Sequence, residues 1–196
     1  MSSSPLLIEH VLNSIGAVDE MTPIVIDVAS GMGKWGFLIK LHIRDCYLIG
    51  LDINREYVKK TKNIYDDVIL ADACHLPIKN FCVDVSLACE IIEHLDKAEG
   101  LKMLNELFRI TKKRVIITTP ADKRYFVGKK AKDIGHKTMW NPNDFRKFGF
   151  KVRGVGCRFH RKGKIMALLR HFILKPLSYV LPEMAELIIA IKEQRK

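Results

Sequence analysis

Ile24-Val25-Ile26-Asp27-Val28-Ala29-Ser30-Gly31-Met32-Gly33-Lys34-Trp35-Gly36 is the stretch that decides the fold. An apolar, β-branched run ends in a carboxylate, and Gly31, Gly33 and Gly36 then satisfy a G-x-G-x-x-G spacing before a helical pattern begins. Glycines placed so let the backbone turn sharply and approach a ligand closely. Taken alone, the spacing suits a dinucleotide whose pyrophosphate rests on a helix N-terminus. Asp27 argues against an anionic ligand, because a carboxylate at the tip of the strand faces the same crevice and repels a pyrophosphate. A cationic ligand turns that conflict into an attraction.

Outward from this stretch, short apolar runs alternate with helical periodicity. The runs are Tyr47-Leu48-Ile49, Val68-Ile69-Leu70, Val83 to Leu87 and Val115-Ile116-Ile117. An amphipathic helix opens the chain around residues 5–16, and Leu101, Leu104, Leu107 and Phe108 mark another before the fifth run. Such alternation predicts a doubly wound, Rossmann-like α/β fold with helices on both faces. Asn141-Pro142 reads as a helix cap with proline in the first turn. A sixth strand is expected at about 150–155 and a last, antiparallel one at 185–191, making a mostly parallel seven-stranded sheet. Residues 1–196 read as a single domain, with an apolar and basic insert at 161–182 expected as a lid.

The later strand ends carry further polar residues. Asp52 in Gly50-Leu51-Asp52-Ile53 stands 25 residues after Asp27, where a carboxylate can accept hydrogen bonds from ribose hydroxyls. Ala71-Asp72-Ala73-Cys74 follows the third run, and Glu90-Ile91-Ile92-Glu93-His94-Leu95 follows the fourth. Asp27 to Gly33 resembles the D-x-G-x-G-x-G motif of class I S-adenosylmethionine (SAM)-dependent methyltransferases, with Ala29 in place of the first glycine. Glu90 to Leu95 is similar to the E-x-x-E-H-L segment of the menaquinone-biosynthesis-like branch. The resemblance runs from about residue 22 to 120.

It implies SAM as cofactor, a molecule with an ammonium, a cationic sulfur and no phosphate. It implies a cofactor site built from Asp27, Ala29, Ser30, Gly31, Gly33, Asp52, Ile53, Asp72, Ala73 and Glu90, with Asp72 near the adenine amine. Methyl transfer chiefly requires holding a nucleophile in line behind the methyl carbon. Where a proton must leave, His94 and His136 are the candidate catalytic bases, since both fall on the carboxyl side of the sheet. Glu93 is expected to face water. No metal site is expected. Cys46, Cys74, Cys82, Cys89 and Cys157 form no C-x-x-C pair and read as buried reduced thiols.

Residues 151–196 carry eleven Lys+Arg against three Asp+Glu, a net +8, while residues 1–150 carry 22 against 19, a net +3. The asymmetry suits an anionic partner. The expected acceptor is a small molecule, anionic or lipid-linked, and the alternative is RNA held by the 123–137 loop and the basic tail. Ile165, Leu168, Leu169, Phe172 and Ile173 recur at helical spacing opposite Lys164, Arg170, His171 and Lys175, as in helices that lie on anionic membranes. Pro176 and Pro182 are expected to break that helix. The chain opens on neither a basic leader nor a long apolar run and holds no spanning-length apolar stretch, so a cytoplasmic location is expected.

Overall fold

A computed structural model describes residues 5–127, 135–158 and 168–194. Its helices are α1 (Pro5–Gly16), α2 (Lys34–His42), α3 (Arg55–Thr61), α4 (Lys97–Ile110), α5 (Pro142–Arg146) and α6 (Lys175–Val180). The strands are β1 (Ile24–Val28), β2 (Tyr47–Asp52), β3 (Asp67–Leu70), β4 (Val83–Cys89), β5 (Thr111–Pro120), β6 (Lys151–Val155) and β7 (Leu187–Glu193). They form one sheet in the order β3-β2-β1-β4-β5-β7-β6. β7 runs antiparallel to both neighbours and the other pairs are parallel, as the sequence predicts. The strand order reverses between β1 and β4, so a crevice opens beyond their carboxyl ends, where open α/β sheets bind ligands.

Period-two alternation divides the core between the sheet's two faces. Val25, Leu48, Val85, Leu87 and Ile189 pack with α1 and α2, while Ile26, Leu51, Ile117 and Ala190 pack with α4 and α5. Helix starts follow local chemistry. Asp96 and Glu99 form a reciprocal capping box at α4, Asn141 and Asp144 form another at α5 with Pro142 in its first turn, and Asn54 caps α3.

Residues 170–174 form a π-helical turn that leads into α6. Pro176 therefore sits in the first turn of α6 and does not end the helix, a correction that follows from the freedom of first-turn positions to lack an N–H. Pro182 does follow the helix end. α6 packs against β6, where a Cβ on Gly154 would stand 2.1 Å from the Ser178 carbonyl oxygen, and Tyr179 stacks on His10 of α1. The expected lid is thus seated on the edge of the sheet over residues 175–180, and residues 161–167 lie outside the described residues. Its apolar residues do not all turn inward: Leu168, Phe172 and Ile173 are 59%, 69% and 55% exposed. Among the described residues no helix is long and apolar enough to cross a membrane.

Candidate functional site

The loop after β1 is held in an unusual backbone. Ala29, Gly31 and Gly33 have φ of 61°, 53° and 78°, and Gly33 caps α2. Left-handed backbone is rare for alanine, and such residues gather at functional sites. Glu90, the first residue beyond β4, also has positive φ, at 55°. Strain therefore sits at the ends of the two adjacent strands that flank the reversal point. A Cβ on Gly31 would meet nothing within 4 Å, so this position looks into open space.

Asp52 ties the loop to β2. Its Oδ2 accepts from the Gly31 N–H at 2.8 Å and its Oδ1 from the Asn54 N–H at 2.8 Å. Each carboxylate oxygen keeps a second lone pair for a further donor. Beyond it, Ile53 is 73% exposed. Asp72 closes the turn after β3, accepting from the Cys74 N–H at 2.8 Å, and its other oxygen lies 3.2 Å from His75 Nδ1. Ala73 beside it is half-buried.

Asp27 is only 1% exposed and accepts a 2.6 Å hydrogen bond from the Tyr65 hydroxyl. Burial pushes its pKa up to about 7, Asp52 adds to the rise, and the Tyr65 hydrogen bond opposes it. Tyr65 explains two glycines. A Cβ on Gly36 would lie 2.4 Å from the Tyr65 ring, and one on Gly50 would lie 2.7 Å from it. The last glycine of the G-x-G-x-x-G run thus makes room for the side chain that holds Asp27.

On the other side of β4 the structure joins three residues that the sequence leaves apart. Glu93 is fully buried and does not face water, because the turn at Ile92–His94 directs it inward to β5, where Thr119 Oγ1 donates to its Oε2 at 2.9 Å. Its main-chain oxygen accepts from the Lys137 and Thr138 N–H groups, which docks the stretch carrying His136. Trp140, fully buried, anchors the same stretch in a notch of α4, where a Cβ on Gly100 would stand 2.5 Å from its ring. The His94 and His136 rings then meet edge to face with centroids 4.8 Å apart.

Their Nδ1 atoms face backbone carbonyls, His94 to Gly135 at 3.2 Å and His136 to Tyr125 at 3.1 Å. Burial lowers the pKa of both histidines, further lowered at His136 by His94, so the rings are neutral at pH 7. Burial lifts the Glu93 carboxyl to about 8 and raises that of Glu90 as well. The structure therefore assembles two clusters, one around Asp27, Gly31 and Asp52, the other around Glu93, His94 and His136. Tyr65 and Glu93 are the residues sequence reasoning missed. Gly50 inside a strand was a usable sign of close approach by a bulky group; the burial of Glu93 had no local sign.

Comparison with known proteins fits this geometry. Residues 25–114 match the methyltransferase domain family. An uncharacterized protein of Methanocaldococcus jannaschii is 32% identical over 133 residues, 66% of this chain and 55% of that one. A tRNA (carboxymethyluridine(34)-5-O)-methyltransferase of Arabidopsis thaliana is 27% identical over 122 residues, 61% of this chain and 28% of that one. The chain thus spans about a quarter and about half of the length of these two relatives. A SAM-dependent methyltransferase of Archaeoglobus fulgidus superposes with a TM-score of 0.68 at 17% identity, over 98% of this chain and 95% of its own.

The fold is that of class I, SAM-dependent methyltransferases, and residues 25–114 match a methyltransferase domain. The residues present fit that cofactor. Gly31 borders open space, Asp52 retains acceptor capacity for a diol, and a buried acid stands ready for a cation.

Proposed function

We propose that the chain transfers a methyl group from SAM to a small-molecule or lipid-linked acceptor. The observation that carries the reading is the arrangement at the reversal point of the sheet, where the strained loop 29–33 faces open space at Gly31, Asp52 is tied to that loop, and Asp27 lies buried at the same end of the sheet, feeling the charge of Asp52. In this reading Asp52 and Ile53 hold the ribose, Asp72 and Ala73 border the adenine, and Asp27 to Gly33 receive the methionine end. SAM supplies a methyl group on a positively charged sulfur. Asp27, held by Tyr65, offers that end a negative charge in a site of low dielectric, where attraction to a cation is strong.

The chemistry asked of the protein is positional. An acceptor nucleophile must lie behind the methyl carbon, lose its proton and attack, while the carbon–sulfur bond breaks with its electron pair passing to sulfur. Glu90, the residue after β4, is near enough to Glu93 for its charge to act there, and the group of Glu93, His94 and His136 is where we place removal of the proton. Neutral imidazoles with hydrogen on Nδ1 present an accepting Nε2.

For the acceptor class, the exposed Leu168, Phe172 and Ile173 within the +8 C-terminal segment favour a substrate presented at an anionic lipid surface, with residues 161–182 as the acceptor-side element. We further place the protein in the cytoplasm and read residues 1–196 as a single domain. Likeness to the tRNA methyltransferase, together with the basic residues of 123–137, of which 128–134 lie outside the described residues, and of the tail, supports a second reading with RNA as acceptor. Incubation with methyl-labelled SAM and separate lipid, metabolite and RNA extracts tests both. Label in lipids or metabolites supports the first reading, label in RNA alone selects the second, and label in none contradicts methyl transfer.

A further inference from the structure

The buried cluster behind β4 has more unsatisfied acceptors than an acid–base pair needs. Among the described residues, Glu93 Oε1 and His136 Nε2 are buried side-chain atoms without a hydrogen-bond partner, and they face each other at 4.0 Å. A backbone carbonyl can only accept, so the contacts of both Nδ1 atoms, with Gly135 and Tyr125, place a hydrogen on each and leave a lone pair on each Nε2 of the neutral rings. Glu93 Oε2 already takes the Thr119 hydroxyl hydrogen, and Oε1 stands too far from His136 Nε2 to share a hydrogen with it, so once the carboxyl gives up its proton Oε1 is a free ligand atom too. Ligand atoms that converge in a buried space with no hydrogen bond between them suit a cation, whose binding displaces the carboxyl proton.

We propose that Glu93, His94 and His136 bind one divalent first-row transition-metal cation. One ligand atom from each of these residues lies within 4.8 Å of the others. Bonds of about 2.0–2.2 Å bring ligand atoms to roughly 3–3.5 Å from one another, so binding draws the three inward by about an ångström. Two imidazoles with one carboxylate are a donor set for zinc, iron, cobalt or manganese, and not for magnesium or calcium, which prefer all-oxygen cages.

The outer shell is already in place. Each histidine is oriented through Nδ1 by a carbonyl and the carboxylate by a hydroxyl, the pattern that fixes metal-binding side chains. Two anchors hold the ligands together: the Lys137 and Thr138 N–H groups on the Glu93 carbonyl, and Trp140 in the Gly100 notch.

Three protein ligands leave positions open, and half-buried His94 marks the side on which they meet solvent. The use of that opening rests on the methyltransferase reading. A hydroxyl acceptor oriented there gives up its proton to solvent near neutral pH, and its oxygen attacks the methyl carbon as the carbon–sulfur pair goes to sulfur. In this form the histidines act as ligands and the proton needs no imidazole. The acceptor atom is then an oxygen.

Titration of tag-free protein with Co²⁺, followed by visible absorption and calorimetry, tests the site without turnover. The expected result is one equivalent bound with ligand-field bands, and binding weakened by at least about tenfold in Glu93→Gln and in His136→Gln. The His94→Gln variant, altered at a half-buried position, serves if either of those fails to fold, and it should weaken binding likewise. SAM affinity measured with chelator present should be unchanged in the folded variants. His75→Ala, which removes the surface His75–Asp72 pair, should leave Co²⁺ binding intact. Absence of saturable Co²⁺ binding overturns the proposal, and so does binding that the substitutions leave unchanged. Loss of SAM binding in the wild type would instead strike the methyltransferase reading.

Discussion

Asp27→Asn is the substitution whose consequences the structure specifies most fully. The carboxyl is buried and its pKa rises from 3.8 to about 7. At about 1.4 kcal/mol per unit, keeping it ionised in the folded protein costs on the order of 4 kcal/mol. Its sign follows from proton counting. Between the two pKa values the folded state holds a proton that the unfolded state has lost, so stability falls as pH rises from about 4 to about 7 and stays low above.

Asparagine removes the charge and keeps an oxygen for the Tyr65 hydroxyl, though as a weaker acceptor than a carboxylate. The variant should therefore match the wild type within about 1 kcal/mol near pH 4 and exceed it by about 2 to 4 kcal/mol at pH 8. Urea denaturation at a series of pH values measures the gap. SAM binding should show the opposite preference, because its cationic end favours ionised Asp27. Wild-type affinity should rise by up to about tenfold per pH unit below 7 and level off above it, while the variant stays flat over that range. A stability gap that is constant with pH, or a variant with the same affinity profile as the wild type, refutes the reasoning.

Gly31→Val should abolish SAM binding with the fold retained by circular dichroism, since the side chain would occupy open space that the methionine end needs. Ala29→Gly relieves left-handed strain of about 1–2 kcal/mol against an entropic cost of about 0.4–1 kcal/mol, and chemical denaturation should find it neutral to about 1 kcal/mol more stable. Asp52→Ala should weaken SAM by about 1–3 kcal/mol in calorimetry and also lower thermal stability, because the Gly31 and Asn54 N–H groups lose their acceptor. Co-sedimentation with vesicles should show binding to anionic liposomes at low salt and little to neutral ones, and equal failure with both would remove the lipid-surface reading.

The parallel strands were legible because their apolar runs are short, β-branched and bounded by turn residues, and the capping of α5 was written in Asn141-Pro142. The cofactor loop was legible because glycine spacing is a local signal. The second cluster depends on contacts distant in sequence. His136 reaches Glu93 only because Trp140 enters a notch on α4 and two backbone N–H groups bind the Glu93 carbonyl, none of which has a periodicity to read. Glu93 looked like a solvent-facing residue on a helix; a tight turn in that place sends it into the core. At Ala29 the sequence showed a small residue where a glycine is usual, and the structure adds that it occupies left-handed backbone.

Calorimetric titration of the purified protein with SAM, and separately with NAD, tests the central claim most directly. The account predicts one equivalent of SAM bound and no binding of NAD, with affinity for SAM lost in Gly31→Val. Binding of NAD in preference to SAM, or SAM affinity unchanged in that variant, would contradict it.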